Sequence, residues 1–227
     1  MLLGYLVTAV GEYTAAEVIN QVLQAGPVSP ATRQAIETEL TRHDTMEGYA
    51  WALRTERALS LDTAREIPAA TFWMTDAKAS GDYTVAATFN EPKYMNLNTH
   101  PHPYGVFIGG NDMGTADQTD LYCAAYGNGR FVVRGFGPAP FKMNGFLGEA
   151  NDAVHKAAGK GQPVMQDVAL SVKGSTVECS INGTVVARYD KATLVTGGKL
   201  KSTDGTYGLR FAHNTDVMVT GLTMTKD

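Results

Sequence analysis

Residues Val168–Tyr189 read VALSVKGSTVECSINGTVVARY, and this stretch decides the fold. Asn182-Gly183 is a strong signal for a two-residue type I′ turn, because both central residues of that turn need positive φ. Gly174-Ser175 predicts a second two-residue turn upstream of the first. The stretch is therefore expected to form three antiparallel strands joined by two tight turns.

The apolar pattern of the same stretch agrees with the register that the turns impose. Under that register Leu170 pairs with Cys179, Ile181 with Thr184, and Cys179 with Val186. Side chains alternate across a strand. One face is then expected to hold Val168, Leu170, Val172, Val177, Cys179, Ile181 and Val186. A sheet with one buried and one solvated face favours an antiparallel arrangement.

Composition places the chain among ordinary globular proteins. Of its 227 residues, 44% are hydrophobic and 19% are charged. The net charge of −4 gives no basic field for nucleic acid, so no nucleic-acid partner is predicted. No run reaches the ~18 apolar residues of a membrane span. The start, MLLGYLVTAV, lacks a basic n-region and a cleavage site, so no signal peptide is predicted.

The two cysteines, Cys123 and Cys179, are too few for a metal cluster or a disulfide framework. Each lies in a predicted strand, and buried free thiols are the favoured interpretation because free Cys is often buried. A disulfide is the alternative if their strands are neighbours and the compartment is oxidising.

Residues 1–67 carry helix signals and are predicted to form a helical N-terminal extension. A capped helix is expected over Thr14–Gln24, a second is expected to start at Ser29, and helical propensity continues over about Thr45–Leu59. The extension is either a helical hairpin packed against the following domain or a loosely ordered leader. It is also a candidate surface for a protein partner.

From Pro68 the pattern changes to period two, which predicts a mostly β domain over residues 68–227. Leu121–Phe136 is expected to be a hairpin with Asn128-Gly129 as its two-residue turn. In that register Tyr122, Ala124, Tyr126, Phe131 and Val133 share one face, and Cys123, Ala125, Val132, Arg134 and Phe136 share the other. The long segment Gly137–Pro163 is either functional or contains a short helix near Asn151–Ala158.

Five stretches follow in a recognisable order: GDYTVAATF, HPHPYGVFIGG, LYCAAYGNGRFVVRGF, ALSVKGSTVECSINGTVVARYD and GTYGLRFAHNTDVMVTGLTMTK. Together they resemble the concanavalin A-like lectin/glucanase jelly roll, and within it the laminarinase-like and 3-keto-disaccharide hydrolase-type domains. The resemblance implies a two-sheet antiparallel sandwich with carbohydrate on a concave sheet or at its rim. It also implies an extracellular or periplasmic location.

Glucanases of this superfamily carry an E-x-D-x-x-E strand motif, which is absent from this sequence. Their two carboxylates act as nucleophile and acid, so the absence argues against that route. The nearest acidic cluster contains Glu149 and Asp152 and lies in a Gly-rich stretch. A glycoside hydrolase or lyase with loop-borne acid and base is therefore the alternative, with Glu149, Asp152 and His155 as the weak catalytic candidates. Whether the chain is an enzyme stays open.

Metal ligation has two weak candidate groups. His100 and His102 lie two residues apart, but a zinc site needs further ligands that the sequence does not locate. Calcium could be bound by the oxygens of Asp112, Asp117 and Asp120, although their spacing matches no EF-hand loop. Solvated loops explain both groups without a metal, so no cofactor is predicted.

Arg134 and Arg210 each lie in the middle of a predicted strand on a face that is otherwise apolar or small. Because Arg is almost never buried unpaired, each either pairs with a carboxylate or faces a ligand. Phe136 would add an aromatic surface for a sugar ring. The candidate ligand-binding residues are Arg134, Phe136, Arg210, His102, Tyr104 and His213.

The leading hypothesis is a carbohydrate-associated β-sandwich that binds glycan on a concave sheet face without strong catalysis. The Asn182-Gly183-Thr184 sequon for glycosylation is explained by the turn that it coincides with.

Overall fold

The computed structural model describes residues 54–55, 70–97, 100–115, 117–145, 147–212 and 215–226. Within these residues, thirteen strands and one short helix form two antiparallel sheets that pack as a β-sandwich. This confirms the predicted fold class. The helices expected at Thr14–Gln24 and from Ser29 lie outside the described residues.

The larger sheet has eight strands among the described residues, in the order β1-β2-β12-β4-β5-β6-β7, and β8 pairs with β6. Its strands are β1 (Arg54–Thr55), β2 (Ala70–Ala79), β4 (Tyr104–Asn111), β5 (Thr119–Tyr126), β6 (Arg130–Phe136), β7 (Phe141–Lys142), β8 (Glu149–Ala150) and β12 (Gly205–Phe211).

The smaller sheet has five strands in the same part of the chain, in the order β11-β10-β9-β3-β13. Its strands are β3 (Tyr83–Glu91), β9 (Val164–Lys173), β10 (Thr176–Ile181), β11 (Thr184–Asp190) and β13 (Met218–Lys226). A single helical turn, α1 (Lys191–Leu194), follows β11.

The three strands predicted at Val168–Tyr189 are β9, β10 and β11, and the register across β9 and β10 is as expected. Asn182 and Gly183 both have positive φ, which the type I′ turn requires. The predicted pairing of Cys179 with Val186 is wrong, because the register shifts at Cys179/Ser180 and Cys179 pairs with Ala187. Such a shift is a β-bulge, in which one strand contributes an extra residue.

The β5–β6 hairpin has a register one residue away from the predicted one. Tyr126 pairs with Arg130, not with Phe131, so the loop has three residues and ends at Gly129 with φ +84°. A three-residue loop with a left-handed last residue is a common alternative to the two-residue turn. Because a one-residue slip moves side chains to the other face, Arg134 shares a face with Tyr122, and not with Cys123.

The core between the two sheets is built from the inward residues of both layers. Tyr83, Phe89, Ile108 and Leu170 are among its fully buried members. Cys123 of β5 and Cys179 of β10 are joined by a disulfide that crosses from one layer to the other, with 6.0 Å between their Cα atoms. The favoured expectation of two free thiols is therefore wrong, because the two strands face each other across the core.

Two helix expectations are also wrong where the structure describes the residues. Arg54 and Thr55, inside the stretch of predicted helical propensity, pair with β2 as a strand, since tertiary pairing overrides weak propensity. Asn151–Ala158 forms turns, because the Asn151 side chain accepts a hydrogen bond from the Ala153 N–H and competes with helix formation. No helix in the described part of the chain is long and apolar enough to cross a bilayer.

Candidate functional site

A depression of about 700 Å³ lies on the outer face of the larger sheet, away from the sandwich core. Its floor is formed by side chains that alternate with core residues such as Cys123 and Leu209. It is lined by His100, Pro101, His102, Pro103, Tyr122, Ala124, Tyr126, Asn128, Arg130, Arg134, Leu147, Arg210 and Ala212. We call this depression the outer-face pocket.

Strand register brings the floor residues together. Tyr122 of β5 is paired with Arg134 of β6, and Tyr126 is paired with Arg130. On the other side of β5, Ala124 is paired with Gly105 of β4. Paired residues of neighbouring strands project from the same face, so two arginines and two tyrosines form one continuous patch.

Arg210 of β12 is paired with Gly105, which has no side chain to block it. The long Arg210 side chain crosses β4 at this point and reaches over β5 and β6. Its Cζ lies 5.4 Å from the centre of the Tyr122 ring and 5.2 Å from that of Phe136. Guanidinium groups are attracted to aromatic faces at this range.

A hydrogen bond to a neutral group also holds Arg210. Its Nη1 donates to Oγ1 of Thr71 at 3.1 Å, and the residue is only 4% exposed. Two aromatic rings and one hydroxyl therefore fix the orientation of the guanidinium at the pocket floor.

Arg130 is held at the edge of the pocket by main-chain carbonyls. Its Nη2 donates to the Gly148 oxygen at 2.7 Å, and its Nε donates to the Leu147 oxygen at 3.2 Å. Burial raises the pKa of the Tyr126 hydroxyl, and the nearby Arg134 and Arg130 lower it in part. Tyr126 is therefore a neutral hydrogen-bonding group at neutral pH.

The segment before β4 forms one rim of the pocket, with His100 and His102 facing each other. Their Nε2 atoms are 2.7 Å apart, and the rings meet edge to face. One ring nitrogen must donate and the other must accept, so this contact requires at least one neutral imidazole.

Three of the six candidate ligand residues line the pocket, and a fourth lies on the same face of the larger sheet. Arg134, Arg210 and His102 line the pocket. Phe136 lies on the same face, but it packs beneath Arg210 and is not among the lining residues, so its ring is a support for Arg210 and not a stacking surface.

The other two candidates are elsewhere. Tyr104 is fully buried in the core, where its ring stacks on Phe89 with 5.5 Å between the centroids, so it points away from the pocket. Strand alternation is the reason, because Gly105 and not Tyr104 faces outward in β4. His213 lies outside the described residues.

The weak catalytic candidates do not line the pocket. Glu149 and Asp152 are exposed, in β8 and in the turn that follows it. His155 donates from Nδ1 to the Met165 carbonyl at 2.7 Å, on the side of β9. The three residues therefore do not provide an acid and a base for this pocket.

Two of the three calcium candidates have side-chain partners of their own. Asp112 is exposed and forms an ion pair with Lys201, and Asp117 is exposed. Asp120 is buried, and its Oδ2 accepts from Nε2 of Gln118 at 2.5 Å. Across the described residues, no three His, Cys, Asp or Glu side chains are grouped closely enough to bind a metal ion.

Sequence reasoning missed several pocket residues. Tyr122, Tyr126 and Arg130 were not candidates, because the assumed hairpin register put the tyrosines on the face opposite Arg134. The signal that could have found them is the apolar pattern, since Cys123, Ala125, Phe131 and Val133 make a wholly apolar inner face only in the observed register. Nothing in the sequence indicates that Leu147, which is 72% exposed, lies at the pocket.

Comparisons of the chain with known proteins give only distant structural likenesses. No protein-family model matches it, and no curated protein matches its sequence. Among solved structures, sheep galectin-11 in complex with glycerol is 12% identical with a TM-score of 0.44, and the match covers 66% of this chain and 93% of the galectin.

The carbohydrate-binding module CBM66 from Bacillus subtilis is 10% identical with a TM-score of 0.45, and the match covers 78% of this chain and 92% of the module. Alginate lyase Aly36B in complex with an alginate trisaccharide is 13% identical with a TM-score of 0.39, over 70% of this chain and 75% of the lyase. The β-sandwich assignment rests on the strand pairing described above, and membership of the concanavalin A-like superfamily stays a prediction.

Proposed function

We propose that this chain is a glycan-binding β-sandwich that holds sugar in the outer-face pocket without catalysing a reaction on it. The observation that carries the proposal is the pairing of fixed guanidinium donors with tyrosine rings in one depression. Sugars present apolar C–H faces that pack on aromatic rings, and hydroxyl oxygens that accept hydrogen bonds from arginine. Pockets of this kind combine apolar walls with a few polar groups that fix the orientation of the ligand.

Size and shape support the same proposal. The volume of about 700 Å³ is within the range of roughly 300–1,000 Å³ that is usual for small-ligand sites. Exposed Leu147 and the prolines at 101 and 103 add apolar rim contacts. The pocket is therefore large enough for more than a single small ion.

The lining favours binding over hydrolysis. Among the lining residues that the structure describes there is no Asp or Glu. The two-carboxylate route to glycoside hydrolysis needs both an acid and a base or nucleophile at the scissile bond. A protein-interaction role for residues 1–67 stays a prediction from sequence.

The test is a glycan array that carries neutral, carboxylated and sulfated oligosaccharides, followed by titration calorimetry on the best ligand. We expect wild-type protein to bind at least one class. Tyr126→Ala is expected to weaken binding by about 10-fold, because it removes a ring face and a hydroxyl worth about 1–2 kcal/mol together.

Arg188→Met is the matched control, since Arg188 is exposed on β11 of the other sheet and pairs with Glu178 there. The Arg188→Met variant should bind the best glycan ligand with the same affinity as wild type. An array with no bound glycan, or a Tyr126→Ala variant that folds normally and binds like wild type, would overturn the proposal.

A further inference from the structure

Leu147 is the most exposed large apolar side chain in the described part of the chain, and it lies at the outer-face pocket. It is 72% exposed, against 53% for Met165 of β9 in the smaller sheet. Single exposed apolar residues are common on protein surfaces and need no function. A role in binding therefore requires contacts that hold Leu147 in place, and the structure has such contacts on both sides of it.

The turn that carries Leu147 is attached to β6. Before the turn, Oδ1 of Asn144 accepts from the Val133 N–H at 3.0 Å, and Nδ2 of Asn144 donates to the Phe131 oxygen at 3.3 Å. After Leu147, Gly148 has a φ of +73°, and a Cβ there would lie 2.5 Å from the Phe131 oxygen. Glycine permits both this φ and this close approach, so the main chain before and after Leu147 packs against β6.

Arg130 fixes the same turn from the side of the pocket. Its Nε donates to the Leu147 oxygen at 3.2 Å, and its Nη2 donates to the Gly148 oxygen at 2.7 Å. An arginine side chain carries five N–H donors, so these two bonds leave further donors on the guanidinium. Because Arg130 and Leu147 both line the pocket, those donors are available to a group that binds beside Leu147.

An aliphatic side chain and a guanidinium donor therefore adjoin at the rim of the pocket, and an acetamido group of a sugar matches this pair. Its carbonyl oxygen accepts a hydrogen bond, and its methyl group can pack on Leu147 and leave water. A hydroxyl at the same sugar carbon supplies no methyl group. The C–H face of the ring itself can pack on an aromatic side chain, which Tyr126 provides in the same pocket.

We infer that the outer-face pocket selects N-acetylated glycans, with the acetamido methyl group on Leu147 and the acetamido oxygen accepting a hydrogen bond from Arg130. This inference rests on the proposed glycan-binding function and specifies its ligand class. Leu147 is the residue that determines specificity, and Arg130 both binds the acetamido group and positions Leu147. Since the turn is already held in place, little conformational freedom of its main chain is lost on binding.

The experiment compares oligosaccharides that share a backbone and differ in one substituent of the ring. Triacetylchitotriose carries acetamido groups where cellotriose carries hydroxyls, and N-formylated chitotriose keeps the carbonyl but lacks the methyl group. N-acetyllactosamine and lactose form a second pair. The full chain is titrated with each by calorimetry. We expect an acetylated member to bind about 10-fold more tightly than its hydroxyl counterpart, and about 4-fold more tightly than the formylated form.

Leu147→Ala removes the methyl contact and keeps the main-chain oxygen that Arg130 binds. It should bring the affinities for acetylated and formylated chitotriose within about 2-fold of each other, and change the affinity for cellotriose by less than about 2-fold. Met165→Ala is the matched control, because it shortens an exposed apolar side chain of the smaller sheet, and it should keep the wild-type ratios. Thermal unfolding checks that both variants are folded.

The outcomes separate this inference from the proposed glycan-binding function. Equal binding of acetylated and hydroxyl members, or binding only of array glycans without an acetamido group, overturns the acetamido assignment and leaves glycan binding in place. A Leu147→Ala variant that keeps the wild-type ratio of acetylated to formylated binding, or weakens binding of all members alike, also overturns it. Binding of no probe and of nothing on the array overturns both proposals.

Discussion

At the scale of one residue, Glu91 is a buried carboxyl whose shifted pKa makes the stability of the fold depend on pH. It ends β3, is 8% exposed, and its Oε1 accepts from the Met95 N–H at 3.0 Å. Burial raises the pKa of Glu91 above its usual value of 4.5, the Met95 hydrogen bond lowers it in part, and nearby Asp216 raises it. The folded protein therefore holds the proton more tightly than the unfolded chain.

The sign of the pH effect follows from this difference in proton affinity. The contribution of Glu91 to stability is greatest below pH 4.5, where both states are protonated. It is lost as pH rises from that value through the raised pKa of the folded state. We expect Glu91→Gln to remove this decline, since the amide keeps an oxygen for Met95 and does not ionise.

The measurement is the free energy of unfolding of Glu91→Gln and wild type by denaturant titration between pH 4 and 7. As pH rises, the free energy of unfolding of Glu91→Gln should increase relative to that of wild type. Glu149→Gln, at an exposed strand residue, is the control and should follow wild type. A Glu91→Gln difference that does not change with pH would contradict the assignment.

At the scale of strands and turns, the residues of each turn decide which strand registers could be predicted from the sequence. In the β9–β10–β11 meander each turn has two residues, and both Gly174 and Gly183 have positive φ, so turn and apolar pattern indicate one register. In the β5–β6 hairpin, Gly127-Asn128-Gly129 allows either a two- or a three-residue loop. Only packing against the core selects the three-residue loop. For this reason the sequence did not predict that Tyr122 and Tyr126 line the pocket.

Asn182 makes the second turn unusually dependent on one side chain. Its Nδ2 donates to the Ala153 carbonyl at 2.7 Å and to Oε1 of Gln166 at 2.8 Å, and its Oδ1 accepts from the Asp167 N–H at 2.8 Å. These bonds connect the β10–β11 hairpin to β9 and to the long segment before it. Asn also tolerates the φ of 50° at this position.

Two substitutions of Asn182 separate the contribution of its side-chain hydrogen bonds from that of its tolerance of positive φ. Asn182→Gly keeps the turn conformation and removes the bonds, and we expect it to cost about 1–3 kcal/mol because three hydrogen bonds are lost, one of them to the buried Gln166. Asn182→Ala should cost about 1 kcal/mol more, since Ala is strained at positive φ. Chemical denaturation measures both.

Thr184→Ala is the control for the turn, because Thr184 is exposed beside it, and its effect should stay within about 0.5 kcal/mol. Equal stability of Asn182→Gly and wild type would show that the side-chain bonds contribute nothing.

The disulfide between Cys123 and Cys179 is the feature that acts on the whole molecule. It links the larger sheet to the smaller one through the core, across a sequence separation of 56 residues. A two-layer sandwich was predictable from alternating strands and turns. The crosslink was not, because strand patterns do not specify which strands of the two layers lie opposite each other. Disulfides persist in oxidising compartments, so we propose an extracellular or periplasmic location, as the family resemblance implies.

Closing a loop of this length restricts the unfolded chain, which corresponds to about 4 kcal/mol of stability in the chain-entropy account. We expect reduction of wild type, or the Cys123→Ala/Cys179→Ala double substitution, to lower the free energy of unfolding by roughly 2–5 kcal/mol. The measurement is denaturant unfolding with and without a thiol reductant. The double variant should not respond to the reductant, and unchanged stability of fully reduced wild type would contradict the prediction.

The same bond decides what a protease can release. The exposed stretch around Gly159–Pro163 lies between the two cysteines in sequence, and exposed segments of this kind are where cleavage concentrates. A single cut there would open the backbone and yet leave the two fragments covalently joined. On a denaturing gel the nicked protein should run as one species until a thiol is added, and then separate into two.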